Sequence, residues 1–126
     1  MLYWECPPLG ASTPASVRDF AALWQRAEKI VYSRTLEGVS SARTRIERRF
    51  DPQGTRRLKR TVNRDVTVGG ADLAGQALAH GLVDELHLLA VPVVMGGGKR
   101  WLPNGLRVAL ELLESRTLTS GVVFLK

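Results

Sequence analysis

Residues 65–103 read DVTVGGADLAGQALAHGLVDELHLLAVPVVMGGGKRWLP, and this stretch decides the fold class. Asp65–Val68 alternates like a short strand and is closed by Gly69 and Gly70. Asp72–His80 then places Leu73, Ala74, Ala77 and Leu78 on one helical face, and Gly81 is a natural residue just past a helix end. Glu85–Met95 is the longest apolar run, and its near-continuous character predicts a strand buried on both faces. Pro92 has no backbone donor, so it marks a bulge or the point where pairing stops. Gly96–Arg100 reads as a flexible, basic loop. Strand, helix and strand in succession predict an α/β domain.

The flanking sequence extends this pattern. Pro7, Pro8 and Pro14 break any element near the start. Ser16 is a candidate N-cap with Asp19 three positions on, and Val17, Phe20, Ala21, Leu23, Trp24 and Ala27 recur at helical spacing, predicting a helix over about 17–28. A β-rich run follows from Lys29 to Arg34. Thr44–Phe50 alternates weakly as a minor strand, and Pro52 opens a short basic helix to about Arg60. Residues 107–118 and 121–126 predict two antiparallel strands joined at Thr119–Gly121. The whole is a mixed sheet flanked by helices, ending in an antiparallel hairpin.

With 126 residues, 44% of them hydrophobic, the chain suits one domain with its own core. No stretch approaches the ~18 consecutive apolar residues of a membrane helix, and the first residues lack the pattern of a secretory signal. The single cysteine, Cys6, forms no internal disulfide, which makes a reducing cytoplasm the expected compartment. The net charge of +6 is concentrated. Between Arg43 and Arg64 there are nine Lys/Arg and two acids, Glu47 and Asp51. Such a segment attracts phosphate, whether of a nucleotide cofactor or of nucleic acid, or is simply a solvated face. Phe50 is its one aromatic residue, which argues against nucleic acid as a partner.

Two short units carry the chemistry. A strand feeding Gly69 and Gly70 into a helix lets backbone approach an anion closely, while the first helical N–H groups point at it. The spacing is neither GxGxxG nor a P-loop, and a ligand-free tight turn is the alternative. Ser33, Arg34 and Thr35 end the preceding strand, where open α/β sheets bind ligands, and Arg34 suits a phosphate. A surface arginine closing a loop is the alternative there. His80 and His87 have no second ligand at metal spacing, so they read as structural and no metal is expected. Asp84 and Glu85 are adjacent, hence on opposite faces of a strand, and make a poor acid–base pair. Ser33, Ser115 and Ser120 lack a His/Asp pattern. Trp24 and Trp101 read as packing residues.

The segments KIVYSRTL, DVTVGGADLAGQALAHGLVDELHLLAVPVVMGGGKRWLP and LELLESRTLTSGVVFLK resemble the dihydrofolate reductase-like family. The nearest branch is the reductase domain of the riboflavin-biosynthesis deaminase-reductase, and the resemblance spans roughly Val17–Lys126. It implies a mixed sheet, NADPH as cofactor, and hydride transfer to a pterin-like or ribosylamino-pyrimidine small molecule. By position, Ser33, Arg34 and Thr35 lie near the adenosine 2′-phosphate, and Val68, Gly69, Gly70, Ala71 and Leu73 along the pyrophosphate and nicotinamide. It also implies a cis Gly69–Gly70 peptide. Nothing here matches the family's first third, which carries the substrate-facing residues and a central strand, so no catalytic residue carries over. Strands 65–69 and 85–94 are then expected to pair directly or present open edges, and a two-fold homodimer, with Trp4 and the 107–126 hairpin as candidate contacts, is the expected remedy. The rival functions are a non-catalytic nucleotide-binding or assembly module and a nucleic-acid binder using 43–64.

Overall fold

The computed structural model describes residues 2–8, 10–100 and 102–126. Trp101, read from sequence as a packing residue, lies outside them. The chain divides into two compact units, Met1–Phe50 and Asp51–Lys126.

In the first unit, a 3₁₀ turn at Leu2–Trp4 precedes helix α1 (Ala15–Arg26) and strands β1 (Lys29–Tyr32) and β2 (Thr44–Glu47). The helix starts at Ala15 rather than after Ser16. Pro14 occupies the N-cap with φ −55°, and its side chain, having no acceptor, makes no capping bond. Strands β1 and β2 pair in parallel, Lys29 opposite Thr44 and Tyr32 opposite Glu47. A polar hub joins the start of the chain to these elements. Glu5 accepts from the Trp24 indole at 3.1 Å and from the Ala42 amide at 3.3 Å, and pairs with Lys29 at 3.5 Å. Trp4 packs edge-on to Phe20, 4.6 Å between ring centroids.

In the second unit, Asp51 caps helix α2 (Pro52–Thr61) by accepting from the Gln53 amide at 2.9 Å, with Pro52 at the first helical position. Gly54 leaves room beside this cap: a Cβ there would sit 2.6 Å from Asp51 Oδ2, so the carboxylate would have to shift. Helix α3 (Ala71–Ala79) ends as its sequence predicts. Gly81 has φ +62°, its amide donates to the Leu78 carbonyl and the Leu82 amide to that of Ala77, and Leu82 and Ala77 are both buried. Helix α2 supports that end, since Arg56 donates to the His80 carbonyl and Lys59 to that of Leu82, each at 2.7 Å. Strands β3 (Leu88–Ala90), β4 (Ser115–Thr117) and β5 (Val123–Leu125) form an antiparallel sheet in the order β3-β5-β4. The expected C-terminal hairpin is present but shorter: of residues 107–118 only Ser115–Thr117 are strand, because β5 offers three residues to pair with, and the Gly121 amide closes the turn by donating to the Leu118 carbonyl.

Helices and sheets alternate as an α/β chain should, but the expected single mixed sheet is, among the described residues, a parallel pair and a separate antiparallel sheet, because no strand bridges β1–β2 to β3–β5–β4. Three further expectations are corrected. Asp65–Gly69 runs without strand pairing: alternation alone makes no strand, and no described segment pairs with it in a ladder. The expected strand 85–95 shrinks to Leu88–Ala90: the Val93 amide turns back to the Val91 carbonyl at 2.8 Å around Pro92, ending the pairing. It is not buried on both faces either, for Leu89 is 64% and Val94 100% exposed. Among the described residues no peptide is cis, so Gly69–Gly70 is trans. Also among them, no helix is long and apolar enough to cross a membrane.

Candidate functional site

The candidate site is built on the entry to α3. Gly70 is its N-cap, with φ +90° and ψ +127°, and the first helical bond runs from the Ala74 amide to the Gly70 carbonyl at 2.9 Å. The amides of Ala71, Asp72 and Leu73 thus have no acceptor within the helix, and no side chain caps them. A Cβ added at Gly69 or Gly70 would meet no atom within 4 Å, so open space adjoins this backbone. Val68 is exposed, while Ala71 and Leu73 are half-buried. An open cleft of about 230 Å³ begins here. It is lined by Ala71, Gly75 and Ala79, which share one helical face, by Leu102 and Pro103, and by Asp72, Gln76 and Arg100 as its polar groups. Gln76 Nε2 donates to Asp72 Oδ2 at 3.1 Å, and Arg100 Nη1 to Asn104 Oδ1 at 3.1 Å. The Asp72 carboxylate suits the positive end of the helix dipole but repels an anion, while the guanidinium on the same cleft attracts one.

Ser33, Arg34 and Thr35 lie in the other unit, directly after β1. The Ser33 amide continues the parallel ladder to the Glu47 carbonyl at 3.0 Å, and its hydroxyl accepts from the Leu36 amide at 3.0 Å. Arg48 pins the same turn, donating to the carbonyls of Ser33 at 3.2 Å and Leu36 at 2.6 Å. Arg34 and Thr35 are exposed, and no hydrogen bond or ion pair among the described residues engages the Arg34 side chain.

The basic segment 43–64 is largely committed to the fold. Arg45 pairs with Glu47, Arg57 with Asp51 and Lys59 with Asp84, while Arg48 and Arg56 hold backbone carbonyls. Five of its nine cations are thereby engaged. His87 packs edge-on to Phe124 at 5.5 Å and bonds to Glu85 at 3.3 Å. Among the described residues no group of three His, Cys, Asp or Glu could hold a metal ion.

The stretch from β1 through α3 to the hairpin, with the open Gly69–Gly70 backbone inside it, matches the family described as the RibD C-terminal domain over residues 13–124. The chain belongs to that family. The uncharacterized protein YyaP of Bacillus subtilis (strain 168) is 31% identical over 112 residues, which cover 87% of this chain and 59% of YyaP. The chain thus matches little more than half the length of that relative. Both segments read from sequence as nucleotide contacts fall inside the matched range of this RibD C-terminal domain.

Sequence reasoning had not placed Gly75, Gln76, Ala79, Arg100, Leu102 and Pro103 at the site. The small residues Ala71, Gly75 and Ala79 at i, i+4 and i+8 were a legible sign of a helix face approached closely by something. The arrival of the Gly96–Arg100 loop at that face was not legible, because glycine-rich chain has no periodicity to orient it.

Proposed function

We propose that this RibD C-terminal domain is an NADPH-dependent reductase. The reaction is hydride transfer to a pterin-like or ribosylamino-pyrimidine small molecule, in the chemistry of riboflavin biosynthesis. The observation that carries the proposal is the family match over 13–124, with an uncapped α3 start behind the two glycines inside it. The residues fit a dinucleotide phosphate. The open space beside Gly69 and Gly70 is what a Cβ would narrow, three amides lack acceptors, and Arg100 lies on the adjoining cleft.

In this reading, the amides of Ala71, Asp72 and Leu73 bind the pyrophosphate, with Val68 and the glycines beside it. Arg100 offsets the Asp72 carboxylate. Ser33, Arg34 and Thr35 take the adenosine 2′-phosphate, the uncommitted Arg34 supplying charge and the Arg48-pinned turn holding its backbone in place. When bound, the nicotinamide supplies the hydride; the chain's part is to hold and orient it. The dihydrofolate reductase-like fold belongs to the same proposal; it is supported by the parallel pair β1–β2 within the first unit and the antiparallel β3–β5–β4 within the second, each taken by itself. So does a reducing, cytoplasmic setting, which suits the free, exposed Cys6.

Calorimetry with NADPH and NADH tests it. Wild type should bind NADPH more tightly than NADH, and Arg34→Ala should erase the difference. Gly70→Val, verified as folded, should lose binding at least tenfold, since a β-branched residue at φ +90° is strained and narrows the approach. No binding by wild type overturns the proposal, and an unchanged Gly70→Val overturns the placement.

A further inference from the structure

The bonds of Arg48 lay a second guanidinium on the turn that carries Arg34. Arg48 Nη1 donates to the Ser33 carbonyl at 3.2 Å, and that carbonyl belongs to the peptide bond joining Ser33 to Arg34. The same nitrogen donates to the Leu36 carbonyl at 2.6 Å. Two carbonyl oxygens thus converge on one atom, in a turn that the Leu36 amide closes by donating to the Ser33 hydroxyl oxygen. Left bare, this pair of partial negative charges would repel an anion from the end of β1. A guanidinium laid across them reverses the sign.

Pinning a turn needs two donors and no charge, yet Arg48 brings more. A guanidinium carries five N–H donors. Among the described residues only Nη1 of Arg48 is engaged, while Nε and Nη2 have no partner and no carboxylate pairs with the exposed side chain. Its backbone is held on both sides. Glu47 accepts from the Ser33 amide at 3.0 Å, and Phe50 packs edge-on to Tyr32, 5.5 Å between ring centroids. Holding the arginine in place before a ligand arrives removes part of the ordering cost of the contact. The local charge also calls for it. Glu47 is paired with Arg45, but Glu37 directly follows the turn, so Arg34 alone would leave no net charge there.

We infer that Arg48 is a direct ligand of the phosphate that this turn reads, the fixed member of a two-arginine clip in which Arg34 is the free one. The inference rests on the reading that the turn takes the adenosine 2′-phosphate, and adds how that group is selected. A phosphate monoester carries about two negative charges near neutral pH and three acceptor oxygens. These suit Nε and Nη2 of Arg48, the Arg34 guanidinium and the Ser33 hydroxyl, which receives the Leu36 amide and still has its own hydrogen to give. A 2′-hydroxyl offers neither the charge nor the acceptors.

Calorimetry with NADPH and NADH on wild type, Arg34→Ala, Arg48→Met and Arg48→Lys separates the two claims, with exchange protection of the Leu36 amide as the gauge of the turn. A wild-type preference for NADPH that Arg34→Ala removes supports the reading of the turn. Arg48→Met should then weaken NADPH about tenfold or more and NADH less than about twofold. Arg48→Lys keeps a charge and donors for the carbonyls but no planar fork, so its loss should be smaller and again confined to NADPH. In wild type, adenosine 2′,5′-bisphosphate should shift the Nε–H resonances of both arginines, and adenosine 5′-monophosphate should move neither. Equal wild-type affinities for NADPH and NADH overturn the reading of the turn and the clip with it. A preference that survives Arg48→Met but not Arg34→Ala overturns the clip alone. Should Arg48→Met also open the turn, seen as lost Leu36 protection, the wild-type titration decides: an Arg48 Nε–H indifferent to the bisphosphate overturns the clip.

Discussion

Replacing Glu5 with alanine tests the polar hub of the first unit. The Glu5 and Lys29 side chains are 14% and 8% exposed, so solvent screens their 3.5 Å pair weakly. Removing the carboxylate strands the Trp24 indole N–H and the Ala42 amide and deprives Lys29 of its counter-charge. Breaking one side of a well-buried pair costs about 3–5 kcal/mol. Lys29 keeps the Trp24 and Ala27 carbonyls at 2.8 and 3.1 Å, which lowers the expected cost of Glu5→Ala to about 2–3 kcal/mol. Glu5→Gln retains an acceptor for the indole and should cost about 1 kcal/mol. Lys29→Met together with Glu5→Gln should cost less than the sum of the two alone, by about 0.5–3 kcal/mol, as expected for side chains in direct contact. Urea unfolding followed by the fluorescence of Trp4 and Trp24, both in this unit, reads these values. A Glu5→Ala cost below about 0.5 kcal/mol, the range of an ordinary surface change, would refute the hub.

Asp51→Ala should lower stability by about 1 kcal/mol through loss of the α2 cap. Gly54→Ala, forced against Asp51 Oδ2 in wild type, should stabilise only in the Asp51→Ala background, by up to about 1 kcal/mol of helix propensity; thermal melts of the four proteins check the sign change. The end of β5 should depend on pH at both extremes. Hydrogen bonds from Lys126 and His87 hold the Glu85 carboxyl below its ordinary value, and Glu85 in turn raises the Lys126 ammonium above its own. The carboxylate's contribution is therefore full above about pH 4.3, the unfolded glutamate value, and is lost as pH falls through the lower folded one. The ammonium's is full below about pH 10.4 and is lost as pH rises through the higher folded value. The protection of the Lys126 amide, its exchange rate relative to that of an unstructured peptide at the same pH, should be greatest between those limits, and Glu85→Gln should remove the acid limb; an unchanged profile would refute the pairing.

What the sequence made legible was what short-range physics decides. Helices α1, α2 and α3 follow from apolar spacing, from Pro52 and from Gly81, because helical bonds close within a few residues. The alternation of Asp65–Val68 was equally clear, yet alternation records only which side a residue faces, and a strand also needs a neighbour. The apolar run 85–95 suggested burial for the same reason, although Pro92 did mark where pairing stops. At the site, Gly69 and Gly70 were legible as punctuation before a helix. The bonds of Arg48 to Ser33 and Leu36, and the place of Arg100 on the cleft, join residues that share no local pattern. The charge of segment 43–64 could be counted in advance, but not how much of it the fold consumes.

The order of strands in the second sheet sets a timetable for synthesis. Strand β5 is central and pairs with both neighbours, yet it comes last of the three along the chain. Leu88–Ala90 therefore leaves the ribosome about 35 residues before its partner, a wait of about 2–7 s at typical elongation rates. Throughout it the most apolar run of the chain has no strand to pair with, whereas the first unit, contiguous in residues 1–50, can complete itself. Chaperone demand and aggregation during expression should therefore centre on residues 88–95 and ease with slower initiation or lower temperature, independently of the stability of the finished fold.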